Sequence, residues 1–112
     1  IAMKQSPDPT LAGAYNIGPD DRDCVTTGEL ADLFCRYWDG CAFWEYVAKE
    51  NQPHESNVLK LDNSKIKQRI GWYPKWDINQ AVLATCEWFN AFKKNGNIVQ
   101  VMEKQIDEYF FK

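Results

Sequence analysis

AYNIGPDDRDCVTTGELADLFCRYWDGCAFWEYV, residues 14–47, carries the strongest local signals in the chain. Ala14-Tyr15-Asn16-Ile17 reads as a short strand, and Gly18-Pro19-Asp20-Asp21 reads as the turn that closes it, because glycine, proline and two aspartates are each turn formers. Thr26, with Glu29 three residues on, forms a capping box in which each side chain covers a backbone N–H that the first helical turn leaves unpaired. Behind it Leu30, Leu33, Phe34, Tyr37 and Trp38 recur at helical spacing and define one apolar face. That helix is expected to end near Asp39-Gly40, where glycine can adopt the left-handed cap. Ala42-Phe43-Trp44-Glu45-Tyr46-Val47 is dense in aromatics, a strand composition. Strand, helix and strand in such close succession predict an α/β fold built on a parallel βαβ unit with a right-handed crossover.

Outward from this unit, residues 6–13 carry two prolines and a glycine and read as a loop. The opening IAMKQ resembles the last turn of a helix, so the chain is expected to be a piece of a longer one. Lys49 to Asn57 is polar, contains Pro53, and is expected as an exposed loop. Val58-Leu59-Lys60-Leu61 predicts a short third strand. Asp62 or Asn63 then caps a brief helix from Ser64 to Ile70, stopped by Gly71, with Trp72 folding back on Ile66 and Pro74 preventing a restart. Asp77 and Gln80 form a second capping box. It opens a helix expected to run to about Asn95-Gly96 with Ile78, Ala81, Thr85, Trp88, Phe89 and Phe92 on one face. A last helix, from about Ile98 to Phe111, places Val99, Met102, Ile106 and Tyr109-Phe110 on one side. The expected organisation is a domain over 1–96 followed by a C-terminal helix over 97–112, with no internal repeat.

The 112 residues are enough for one domain, and 45% hydrophobic with 26% charged residues is a globular composition. Lys+Arg 13 against Asp+Glu 16 gives a net charge of −3 with no basic run, which argues against nucleic acid as a partner. No apolar run reaches the roughly 18 residues that cross a bilayer, so no membrane partner is expected and a cytoplasmic location is. Cys24, Cys35, Cys41 and Cys86 form no C-x-x-C pair and His54 is the only histidine. A structural zinc site is therefore not supported, and the thiols are expected to be reduced. The six glycines contain no G-x-G, so no dinucleotide or triphosphate fingerprint is present and no cofactor is expected on this chain.

Taken as a set, Tyr15-Asn16-Ile17-Gly18-Pro19-Asp20-Asp21, Pro53-His54-Glu55, Leu59-Lys60-Leu61-Asp62, Ser64-Lys65 and Gly71-Trp72-x-Pro74-x-Trp76 resemble a known pattern. It is that of the C-terminal part of nucleotide-sugar 4,6-dehydratases of the extended short-chain dehydrogenase/reductase family, above all the CDP-glucose 4,6-dehydratases. The likeness covers roughly residues 1–94. It implies that the chain covers a CDP-sugar substrate, while a missing N-terminal Rossmann domain binds NAD and performs the chemistry in a parent that forms a homo-oligomer. The family's Tyr-x-x-x-Lys pair has no counterpart: the residues four after Tyr15, Tyr37, Tyr46 and Tyr73 are Pro19, Cys41, Glu50 and Asp77. Without a lysine to lower the tyrosine pKa there is no base of that kind, so this piece alone is expected to be inactive.

The Gly18 to Asp23 turn and the loop after the second strand are both expected at strand ends of the βαβ unit, where ligands gather in open α/β sheets, and the resemblance lays Glu50 to His54 over the nucleotide diphosphate; the expected substrate-binding set is Asp20, Asp21, Asn51, Pro53, His54 and Glu55. His54 in the polar loop could donate to a phosphate oxygen, or be a solvated loop histidine. Related dehydratases carry an arginine where Asn51 aligns, which weakens the phosphate contact. Asp20 and Asp21 could accept from ribose hydroxyls or lead the chain into the following helix. Glu55 could orient His54 or be a solvated charge. Trp72 and Trp76, placed around a helix stop, read as packing residues more than as a sugar platform. Three other readings fit less well: the C-terminal domain of another NAD-dependent nucleotide-sugar epimerase or dehydratase, a free-standing sugar-binding or interaction module, and a small enzyme in its own right.

Overall fold

A computed structural model describes residues 7–47, 58 and 60–111. Among the described residues four α-helices follow one another: α1 Thr27–Tyr37, α2 Ser64–Ile70, α3 Ile78–Lys93 and α4 Ile98–Phe111. Two 3-10 turns, Pro9–Leu11 and Asp21–Asp23, precede α1.

The helix starts follow from local chemistry. The Thr26 hydroxyl accepts the Glu29 N–H at 3.2 Å and the Glu29 carboxylate accepts the Thr26 N–H at 2.8 Å. At α3, Asp77 accepts from the Gln80 N–H at 2.8 Å and Gln80 returns a carbonyl to the Asp77 N–H at 3.1 Å. Each of Thr26→Ala and Asp77→Ala should lower stability by about 1 kcal/mol, read as the urea midpoint of the helical circular dichroism signal. An unchanged midpoint in both would contradict the caps' role.

α2 stops at Gly71, whose φ of 69° is left-handed, as the sequence predicts. α1 stops earlier than Asp39-Gly40. Trp38 is already extended, its N–H still bonded to the Phe34 carbonyl at 2.9 Å, and Gly40, at φ 124°, serves the bend that follows.

The expected βαβ unit does not form: the architecture is helical, with no strand or sheet among the described residues. The side chains show why. Residues 14–18 do lie beside 61–65, but they are held by side chains rather than by a backbone ladder. Lys65 Nζ donates to the Ala14 carbonyl at 2.8 Å and sits 4.9 Å over the Tyr15 ring, and Asn16 donates to the Asp62 carbonyl at 3.2 Å. The aromatic run 42–47 folds back on α1 instead of pairing. The Trp44 indole N–H donates to Asp32 at 2.9 Å, and the ring lies so close to Gly28 that a Cβ there would meet it at 3.4 Å. Phe43, Tyr46 and Val47 stay exposed. A β-prone composition describes a surface that fits a neighbouring strand, and the described residues supply none.

The helices pack as a short array in which α3 is central, touching α1 on one side and α4 on the other. Val82 and Cys86 of α3 are buried, together with Ile66 of α2, and Cys86 is wholly enclosed with its sulfur 3.9 Å from the Phe34 carbonyl. The buried line of α3 is thus Val82–Cys86, where α1 packs. On the line the sequence predicts, Phe89 and Phe92 are exposed and Trp88 stacks on Phe92, with ring centres 5.5 Å apart. α4 is fixed by Gln105, which donates to the Ala84 carbonyl at 2.8 Å, and by Tyr109, edge-on to Trp76 at 5.2 Å. Its predicted apolar side largely faces outward, with Val99, Met102, Ile106 and Phe110 exposed. All four cysteines are free thiols. No helix among the described residues is long and apolar enough to cross a membrane.

Candidate functional site

The turn before α1 and the approach to α2 meet in a cleft of about 680 Å³ lined by Asp20, Asp21, Lys60, Asp62, Asn63 and Lys67, among others. The turn is built from the backbone upward. Asp23 and Cys24 N–H groups close a 3-10 turn on the carbonyls of Asp20 and Asp21 at 2.9 and 3.2 Å. Asp23 is buried and accepts the Ile78 N–H at 3.1 Å, tying the turn to the first residue of α3, while its other oxygen faces Arg22 at 3.3 Å.

From the opposite side Asn63, itself buried, donates one amide to three acceptors. These are the carbonyls of Gly18 and Pro19 at 3.0 and 3.2 Å and the Asp20 carboxylate at 3.3 Å. Lys67, one turn into α2, forms an ion pair with Asp20. Asp62 takes over the capping task, accepting the Ser64 N–H at 2.9 Å, which leaves the Asn63 side chain free of any cap bond.

The two aspartates that the sequence singles out therefore differ. Asp20 is engaged by Lys67 and Asn63. Asp21 projects into solvent, its side chain 89% exposed, with the Lys60 ammonium 3.6 Å from its carboxylate. The other four predicted binding residues, Asn51, Pro53, His54 and Glu55, lie outside the described residues. Sequence reasoning missed Asp23, Lys60 and Lys67, and took Asn63 only as a cap. The legible signal was the doubled Asp62-Asn63 before a short helix: one such residue suffices as a cap, so the second is available elsewhere.

The Lys67 ammonium, helped by the Asn63 amide, holds the Asp20 carboxyl below its usual value of 3.8 against a smaller opposing effect of burial. A carboxyl lowered in the folded state stabilises it above the unfolded value and loses that contribution as pH falls through the folded value. Taking the pH from 5 to below 3 should thus lower the unfolding temperature less in Asp20→Asn than in the native chain. Parallel pH curves would contradict the Asp20–Lys67 coupling.

The cleft offers acceptors and donors for a polar ligand. Tyr15, three residues before Gly18, donates its hydroxyl to the Leu11 carbonyl at 2.6 Å and serves as support. No group of three or more metal-ligating side chains occurs among the described residues. A second cavity, about 390 Å³ between α3 and α4, is flanked by Trp76 and Trp88. Its Thr85 hydroxyl and Gln105 amide already donate to the carbonyls of Ala81 and Ala84, both at 2.8 Å, so it presents apolar surface.

No family model matches the chain. It is 30% identical over 95 residues, 85% of its length, to the CDP-glucose 4,6-dehydratase of Salmonella typhimurium. The chain spans about a quarter, 26%, of the length of that relative. The match relates this chain to a nucleotide-sugar dehydratase.

Proposed function

We propose that the chain is the substrate-covering C-terminal part of a nucleotide-sugar 4,6-dehydratase acting on a CDP-hexose, and that the Asp20–Asp21 cleft is part of its nucleotide-sugar site. The observation that carries this reading is the 30% identity over 85% of the chain to a CDP-glucose 4,6-dehydratase. The mixed cleft supports it, since exposed carboxylate and ammonium groups suit a ligand with several hydroxyls.

In this reading NAD is held elsewhere in the parent enzyme. The residues of this chain do not fit it: a pyrophosphate needs a glycine-rich turn leading from a strand into a helix, and the sequence contains no G-x-G. No step is therefore assigned to NAD on these residues. His54, with Asn51, Pro53 and Glu55, belongs to the same proposed recognition set, so His54→Ala in the full-length enzyme raises KM for CDP-glucose more than it lowers kcat.

Reading the coding sequence upstream of Ile1 tests the proposal. It should encode a G-x-x-G-x-x-G after a strand and a Y-x-x-x-K further on. An initiator methionine directly before Ile1 would overturn it.

A further inference from the structure

The neighbouring aspartates of the turn, Asp20 and Asp21, have two different tasks in the cleft, and this inference rests on the functional reading above. We infer that Asn63 and Lys67 are positioning residues that act through Asp20 to hold the Gly18–Asp21 turn, leaving Asp21 as the carboxylate that meets a ligand's vicinal hydroxyls.

Three observations carry it. The Asp20 and Lys67 side chains are 29% and 24% exposed and paired with each other, so each meets the cleft with only part of its surface. Asn63 has its amide committed to the Gly18 and Pro19 carbonyls and to Asp20, which fixes the turn's backbone as well as its side chain. The far end of the turn is pinned independently by Asp23 to the Ile78 N–H, so the segment is clamped between α2 and α3. Asp21 lies between these two anchor points, and its exposed carboxylate has two oxygens to accept from adjacent hydroxyls of a ribose or hexose. A contact group held by already satisfied neighbours is preorganised and loses little freedom on binding.

Amide hydrogen exchange on the full chain tests the positioning role without any ligand. The Asp23 and Cys24 N–H groups report whether the 3-10 turn is closed. In Lys67→Met and Asp20→Asn they should exchange about tenfold faster, while amides in the middle of α3 keep their native rates, which separates turn opening from unfolding. Lys67→Arg should restore the native rate, because a guanidinium keeps the charge and the donor. Unchanged exchange in Lys67→Met would overturn the positioning role.

Calorimetric titration with CDP tests the second half. Asp21→Asn should weaken CDP about tenfold with turn exchange unchanged, and 2′,3′-dideoxycytidine diphosphate should bind the native chain correspondingly weakly. Equal affinity of Asp21→Asn and the native chain, or no CDP binding by the native chain, would overturn the ligand role of Asp21. The exchange result would then still decide the positioning role, and the upstream coding sequence would still decide the dehydratase reading.

Discussion

Cys86→Asp is expected to lower the unfolding free energy by about 3–5 kcal/mol, enough to melt the helical array near room temperature. The side chain is fully enclosed where α3 meets α1, and the carbonyl of Phe34, 3.9 Å from the sulfur, is the acceptor beside it. A carboxylate there would face a carbonyl oxygen, so it must either stay buried against that oxygen or push α1 away. Burial already raises the thiol pKa, the same preference for the neutral form seen in the native residue. Cys86→Ala is the control: it removes one sulfur and should cost about 1 kcal/mol. Urea unfolding followed by circular dichroism checks both, and a Cys86→Asp chain as stable as the alanine variant would contradict the packing described here.

The second large effect is on activity. The chain alone, given CDP-glucose and NAD, should form no 4-keto-6-deoxy product, detectable by its absorbance in alkali. The sequence holds neither a dinucleotide cradle nor a Tyr-x-x-x-Lys pair, and the cleft lining is carboxylate, amide, hydroxyl and ammonium with no tyrosine. Loss of general acid–base catalysis alone costs roughly 10²–10⁴-fold in rate, before the missing hydride acceptor is counted. The same chain joined to the NAD-binding part that the proposal requires should turn over. NAD-dependent product from the chain alone, above a heat-killed control, would contradict the division of labour between the two parts.

What the sequence revealed depended on how local each signal was. Thr26 with Glu29, and Asp77 with Gln80, act across three residues, so both capping boxes and the starts of α1 and α3 are read directly from spacing. Gly71 is equally local, its left-handed φ following from the lack of a side chain. The strands were misread because a strand is defined by its partner. Phe43, Trp44, Tyr46 and Val47 have a strand's composition, yet Trp44 finds its partner in Asp32 on α1, twelve residues earlier. The apolar line of α3 was misplaced for a related reason. Periodicity shows which residues share a side, while the neighbours, α1 at Cys86 and α4 at Ala84, decide which side is covered.

The candidate site was half legible. Asp20 and Asp21 were singled out at the end of an expected strand that does not form, and nothing local distinguishes the two. Their difference comes from Lys67 and Asn63, more than forty residues away in the chain. Long-range ion pairs of that kind leave no periodicity to read.

Backbone-amide NMR of the isotopically labelled chain during titration with CDP tests the central claim most directly. The affinity of this part of the site should be weak, about millimolar. Resonances of Gly18, Asp20, Asp21 and of residues 60–64 should shift together and saturably, with those of α4 unmoved. Shifts confined to Met102, Ile106 and Phe110, exposed on α4, or none at residues 18–21 at saturating CDP, would contradict the assignment of the cleft to nucleotide-sugar recognition.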